Sequence, residues 1–294
     1  MPELPEVETV RIGLARLLPG RVVVRATHDT AKSFPNESRS VEKHLIGATV
    51  ITVRRRGKAL MIDLDTGYSL VVHLKMTGQL VFRDAVGERF GAGHPTDSLV
   101  GELPDRSTRV TLDFQDESKL FFNDQRKFGW MKLVQTELVE QEPFFLKLGP
   151  EALADDFTFE QFRAAVLRRK GTTIKAAILD QSVLAGVGNI YADEGLFAAR
   201  IHPATRAGDV STLKLKRLYR ALREVMRLSI SLGGSSDKNY VDAEGRKGSY
   251  LTFAKVFRRE GQDCPVCSTK IIKLRVAGRG THICPRCQKQ GRLS

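Results

Sequence analysis

Met1-Pro2-Glu3-Leu4-Pro5-Glu6-Val7-Glu8 opens the 294-residue chain, and two readings of it hold together. The first is a helix N-terminus. Prolines fall in the first turn, where a missing N–H is no loss, and the helix dipole favours acids there. Val7, Val10, Leu14 and Leu17 then recur at helical spacing until Pro19-Gly20 stops the run. The second reading is chemical. If Met1 is removed, Pro2 presents a secondary amine with a pKa of about 8, against about 10.4 for a lysine. The unprotonated fraction can attack an electrophilic carbon and form an imine, with Glu3 and Glu6 beside it to carry protons.

Downstream of this helix come short, β-branched apolar runs: Arg21 to Ala26, Thr49 to Arg54, Ala59 to Leu64, Ser69 to Leu74, Gln79 to Phe82, Arg109 to Phe114, Leu120 to Phe122 and Trp130 to Val134. Turn signals such as Asp65-Thr66-Gly67 separate them, which predicts an antiparallel sandwich or barrel. Ala85 to Arg106, rich in Gly, Pro and Asp, reads as one long loop. Arg54 and Arg55 read as a solvated turn, and His73 as a structural strand histidine.

The chain carries a net charge of +13, and residues 251–294 hold ten Lys/Arg against two Asp/Glu, so +8 of it lies in that tail. A polyanionic partner is expected, nucleic acid ahead of membrane. No apolar run of about 18 residues is present, and the N-terminus has no apolar signal core, so a cytosolic protein is expected.

Residues 135–150 turn acidic and proline-bearing, which reads as a hinge, and beyond them the periodicity is helical through Leu232. Asp180 to Tyr191 joins two helices through Gly186 and Gly188, as an ordinary helical corner does. The tail is more specific. Cys264-x-x-Cys267, sixteen residues and Cys284-x-x-Cys287 match a four-thiolate zinc spacing, and the β-prone run Lys270 to Val276 between them predicts a metal-pinned hairpin. Four thiolates close the site, so one structural Zn²⁺ is expected rather than a catalytic one.

In this order, these stretches resemble the formamidopyrimidine-DNA glycosylases, bacterial repair enzymes that excise oxidised purines. The octapeptide, Lys58 after a basic run, His73-Leu74-Lys75-Met76-Thr77-Gly78, Asp124-Gln125-Arg126-Lys127-Phe128-Gly129, the Gly186 to Tyr191 turn and the cysteine pairs carry the resemblance. It implies an α+β multidomain chain: an N-terminal β-sandwich with its helix (1–135), a hinge (136–150), a helix–two-turn–helix domain (151–250) and a four-cysteine β-hairpin zinc finger (251–294).

By the same resemblance, Pro2 is the nucleophile, Glu3 and Glu6 move protons, and Lys58 contacts phosphate beside the lesion and assists proton transfer. Met76 fills the gap left by an extruded base, Arg126 pairs with the orphaned base and Phe128 wedges into the stack. Lys170 and Asn189 hold phosphate, and Arg279 grips phosphates and serves the second elimination. Glu194 resembles a carboxylate placed near the site, or is a surface helix acid. Gly233 to Ser249 would fold over the extruded base.

Gln125 and Lys127 stand where Pro and Arg are frequent, and Ser107-Thr108-Arg109 where several relatives have a phosphate-binding His; no role is assigned there. The partner implied is double-stranded DNA with an oxidised base or abasic site, bound by a monomer in the bacterial cytoplasm. Two alternatives stand beside this reading: an endonuclease VIII-like enzyme for oxidised pyrimidines, disfavoured by Leu4, and a non-catalytic zinc-ribbon DNA-binding protein.

Overall fold

A computed structural model describes residues 2–94, 96–235 and 250–290. One compact unit holds Met1–Leu146 and the chain again from Leu232; the other holds Lys147–Ser231 and resumes at Tyr250. The first unit contains α1 (Leu4–Leu17), β1 (Val23–His28), α2 (Ser38–His44), β2 (Val50–Arg56), β3 (Ala59–Leu64) and β4 (Tyr68–His73). It continues with β5 (Gly78–Arg83), β6 (Arg89–Gly93), β7 (Thr108–Phe114), β8 (Lys119–Asp124), β9 (Trp130–Gln135) and α3 (Pro143–Leu146).

The strands form two antiparallel sheets, β1-β7-β8-β5-β6 and β2-β3-β4-β9, so the expected sandwich is found. Their inner faces and α1 share one apolar core. In α1, Leu4, Val7, Val10 and Leu14 are fully buried, each contributing roughly 1.5–3 kcal/mol. Gly13 lies under the ring of Phe90 in β6, where a Cβ would overlap it.

Two elements differ from the sequence reading. The stretch read as one loop contains β6, which pairs with β5 through Phe82 and Phe90. Its glycines conceal the strand signal: Gly93 has φ +128° and rides on the Gly78 carbonyl. Arg89 stitches the remainder, donating to the carbonyls of Ser98 and Gly101 at 2.7 Å. α2 buries no residue, so no apolar period marks it.

The second unit contains α4 (Phe159–Leu167), α5 (Ile174–Leu179), α6 (Asn189–Ala198), α7 (Thr212–Ser231) and α8 (Tyr250–Phe253), then β10 (Ile272–Val276) and β11 (Arg279–Ile283). Thr158 and Gln161 form a capping box on α4, and Thr173 caps α5. Gly195 of α6 lets Leu222 of α7 approach, and Tyr191 and Ser229 share a hydroxyl bond of 2.6 Å. Ala277 and Gly278 turn the hairpin with φ +52° and +71°, the two positive values that a tight hairpin turn requires. Arg279 is therefore the first residue of β11, paired with Val276.

Gly13→Ala should force Phe90 out of place and destabilise the first unit by about 1–3 kcal/mol. Urea unfolding of the variant measures this, and an unchanged midpoint would contradict the packing.

Candidate active site and metal centre

Strand register gathers the candidate residues of the first unit at one corner. In the four-stranded sheet Ala59 faces His73, and His73 faces Trp130. The Gly57-Lys58 turn, the Leu74 to Thr77 loop and the Gln125 to Gly129 loop therefore leave that sheet at the same end. In the other sheet Gly78 pairs with Asp124, joining the last two loops from the opposite side.

Pro2, Glu3, Glu6 and Lys58 are all buried. The Glu6 carboxylate accepts the Glu3 N–H at 2.9 Å and the Ser235 N–H at 2.9 Å, which fixes the start of α1. Arg55 links that helix to the Lys58 turn: its Nε donates to Glu8 at 2.7 Å and its Nη1 to the Gly57 carbonyl at 3.0 Å. Burial alone would raise the Glu8 carboxyl, but the guanidiniums of Arg11 and Arg55 hold it below its usual value. The reading of Arg54 and Arg55 as a solvated turn is thus corrected: Arg54 pairs with Asp63, and the Arg55 side chain is only 10% exposed. A charge run carries no signal for a partner 47 residues away.

Met76 is half-buried in a loop whose Lys75 has φ +51°. Arg126 and Phe128 are exposed, with the Arg126 guanidinium 4.9 Å and the Lys32 ammonium 5.3 Å from the Phe128 ring centre. An exposed aromatic ring between two cations suits insertion into stacked bases beside phosphate. His73 is structural, as expected. It accepts the Lys75 N–H at 3.0 Å through Nδ1 and meets Phe144 edge-on. Burial, then the charges of Lys75 and Lys58, lower it to about 3, so it is neutral at physiological pH.

In the second unit, Gln181 pins the turn before α6, donating to the carbonyls of Leu179 and Val187 and accepting the Gly186 N–H at 3.0 Å. Asn189 donates one amide hydrogen to the Gly280 carbonyl at 2.9 Å. Lys175 and Asp193, fully buried and 2.6 Å apart, hold the same hairpin: Lys175 donates to Thr281 Oγ1 at 2.7 Å, and Asp193 accepts the His282 N–H at 2.9 Å. The structure thus brings together Asn189 and the hairpin bearing exposed Arg279, while Lys170 is exposed after α4. Neither Lys175 nor Asp193 was singled out from the sequence; only a lysine inside an apolar helix run, Ile174-Lys175-Ala176-Ala177-Ile178, hinted at it.

Glu194 is not a surface acid. It is 2% exposed and accepts the N–H groups of Lys255, Val256 and Phe257 at 2.8–2.9 Å. Burial still raises its carboxyl above the ordinary value despite those bonds. The expectation for Gly233 to Ser249 falls, from residue 236 on, outside the described residues.

Cys264, Cys267, Cys284 and Cys287 point their sulfurs to one place, all within 4.8 Å of one another, and none is bonded to another. Neighbouring sulfurs are 3.4, 3.5 and 3.9 Å apart. A tetrahedron with Zn–S of about 2.3 Å has edges of about 3.8 Å, so the cage fits zinc and is far too open for a disulfide. Phe197, Val256 and Ile271 pack around it. Closed on four thiolates, the site stabilises the hairpin fold.

The comparisons agree along the chain. Residues 1–131 match the model of the formamidopyrimidine-DNA glycosylase N-terminal domain, residues 148–240 that of its H2TH domain, and residues 261–290 a zinc finger found in FPG and IleRS. The formamidopyrimidine-DNA glycosylase of Heliobacterium modesticaldum is 40% identical, covering 98% of this chain and 100% of that protein; that of Listeria innocua is 37% identical over the same shares. A mutant of the Lactococcus lactis FPG, solved with a Fapy-dG containing DNA, superposes with a TM-score of 0.85 at 33% identity, covering 98% of this chain and 100% of the other. The MutM (FPG) protein of Thermus thermophilus gives 0.83 at 38%, covering 99% and 100%.

Two outcomes follow from this geometry. The unfolded chain takes up a proton at His73 near 6.5, whereas the folded chain does so only near 3. Stability should therefore fall as pH drops through that window and lose this contribution to the slope in His73→Gln, measured by urea titrations across it. An unchanged slope would place the titration elsewhere. Separately, Cys264→Ala should abolish stoichiometric zinc in elemental analysis and lower the melting temperature of the second unit, as removal of a structural metal does.

Proposed function

The chain belongs to the formamidopyrimidine-DNA glycosylase family, and from that membership we propose what its own residues do. It is a DNA glycosylase of base excision repair with abasic-site lyase activity, acting on double-stranded DNA that carries an oxidised purine or an abasic site. Residues 1–135 carry the chemistry, 136–150 the hinge, and 151–250 and 251–294 the grip on the duplex.

Release of Met1 turns the Pro2 nitrogen from an amide into a secondary amine. Its lone pair attacks C1′ of the damaged nucleotide as the base leaves, and Glu3 delivers a proton to the sugar ring oxygen. Glu6 holds Glu3 in place through its backbone N–H. The resulting imine draws electrons from C2′, so a C2′ proton is lost and the 3′ phosphate departs; a second elimination releases the 5′ phosphate. Lys58 steadies the phosphate beside the lesion and assists proton transfer, and Arg279 serves the second elimination.

Met76, Arg126 and Phe128 fill the stack and meet the orphaned base, offsetting part of the unstacking cost. Lys170 and Asn189 bind phosphates along the same duplex, Asn189 through the amide hydrogen it does not give to Gly280. Zinc supplies no chemistry here and holds the hairpin that bears Arg279. With DNA as its substrate, the protein works in the bacterial cytoplasm at the nucleoid.

The observation that supports this reading most is the polar chain Glu8–Arg55–Gly57, which joins the helix following Pro2 to the turn bearing Lys58. Borohydride trapping on a duplex with one 8-oxoguanine tests it. Protein shown by mass to begin at Pro2 should form a covalent adduct, and protein retaining Met1 should form none. Adducts from both, or from neither, would rule out the Pro2 amine as the nucleophile.

A further inference from the structure

Asp124, the last residue of β8, is 1% exposed, and its carboxylate serves two loops at once. Oδ2 accepts the N–H groups of Phe128 at 2.8 Å and Gly129 at 2.7 Å. Oδ1 accepts the Arg126 N–H at 3.1 Å and the hydroxyl of Thr77, the residue after Met76. Thr77 Oγ1 in turn accepts the Arg126 N–H at 3.1 Å. The Met76 loop and the Arg126–Phe128 loop, 49 residues apart in sequence, thus share one buried acceptor.

The support behind Asp124 is equally specific. Arg109, 5% exposed, donates through Nε to the Asp124 carbonyl at 2.8 Å, pairs with Asp29 and donates to the Arg106 carbonyl. Lys127 reaches the same Asp29 carboxylate at 3.6 Å. At the far end of the loop Gly129 has no room for a Cβ, which would lie 2.6 Å from the Phe122 ring and 2.9 Å from the His73 carbonyl. Both ends of a loop with four exposed residues, Gln125 to Phe128, are therefore fixed from inside.

The geometry points to Thr77 and Asp124, backed by Arg109, as positioning residues that lock Met76, Arg126 and Phe128 into one body, so that the three side chains enter the duplex together. This rests on the role given above to those three. Two loose loops would each lose conformational freedom on insertion; the shared carboxylate has removed that freedom beforehand, as preorganisation requires.

Base extrusion is the step this serves, so the lock matters most where an intact base must be unstacked and least where the base is already gone. Thr77→Val removes the cross-loop hydroxyl at nearly constant shape, and Thr77→Ser keeps it. In single-turnover assays, Thr77→Val should slow 8-oxoguanine excision about tenfold while cleavage of an abasic duplex changes less than about threefold, the scale of one lost hydrogen bond to a charged group. Thr77→Ser should restore excision, and Asp124→Ala should show the same selective loss more strongly.

A misfolded fraction would lower both reactions equally, and equal loss overturns the proposal. So does a Thr77→Val protein that matches wild type on both duplexes, or a Thr77→Ser protein that fails to recover. Wild-type protein that cuts neither duplex overturns the functional reading and this lock with it.

Discussion

Lys175 and Asp193 are a cation and an anion with no access to water, 2.6 Å apart. Removing either from a buried pair typically costs about 3–5 kcal/mol, because the other is stranded. Each is also bonded to the hairpin, through Thr281 and His282. Folding of α5 against α6 and seating of β11 are therefore coupled energetically, since the two charges meet across α5 and α6 and their further hydrogen bonds are made only with β11 in place. The zinc cage stiffens the hairpin, and this pair decides where the hairpin sits beside α6.

The same economy recurs with other acids. Glu6 takes the N–H groups of Glu3 and Ser235, Asp124 those of Arg126, Phe128 and Gly129, and Glu194 those of three successive residues before the zinc knuckle. A carboxylate anchored on a strand or helix is an effective clasp for irregular backbone, because charge-assisted bonds are stronger than neutral ones. It also draws negative charge inward. In a chain with 47 Lys/Arg and 34 Asp/Glu, that leaves the exterior still more cationic toward a phosphate backbone.

Much of this was legible in sequence, and the unread part has a common cause. Ala59–Leu64 was delimited to the residue, since a mainly apolar run between turn signals allows little else. The cysteine spacing sufficed for the metal cage. β6 escaped because its strand identity comes from its neighbour β5 and not from its own residues. Arg55, Arg109 and Asp193 escaped because each acts through partners distant in the chain, and a lone charged residue looks alike in sequence whether it is solvated or holds a loop. The candidate site residues were named through resemblance; the residues that hold them needed coordinates.

Trp130 follows Phe128 and Gly129 directly and rests against His73 and Phe144. It is the only tryptophan of the chain. The protein's tryptophan emission thus originates at a single point, the root of the Gln125 to Gly129 loop, with a neutral imidazole and a phenyl ring beside it. The chain carries its own optical label beside the exposed Arg126 and Phe128 side chains, without any added dye.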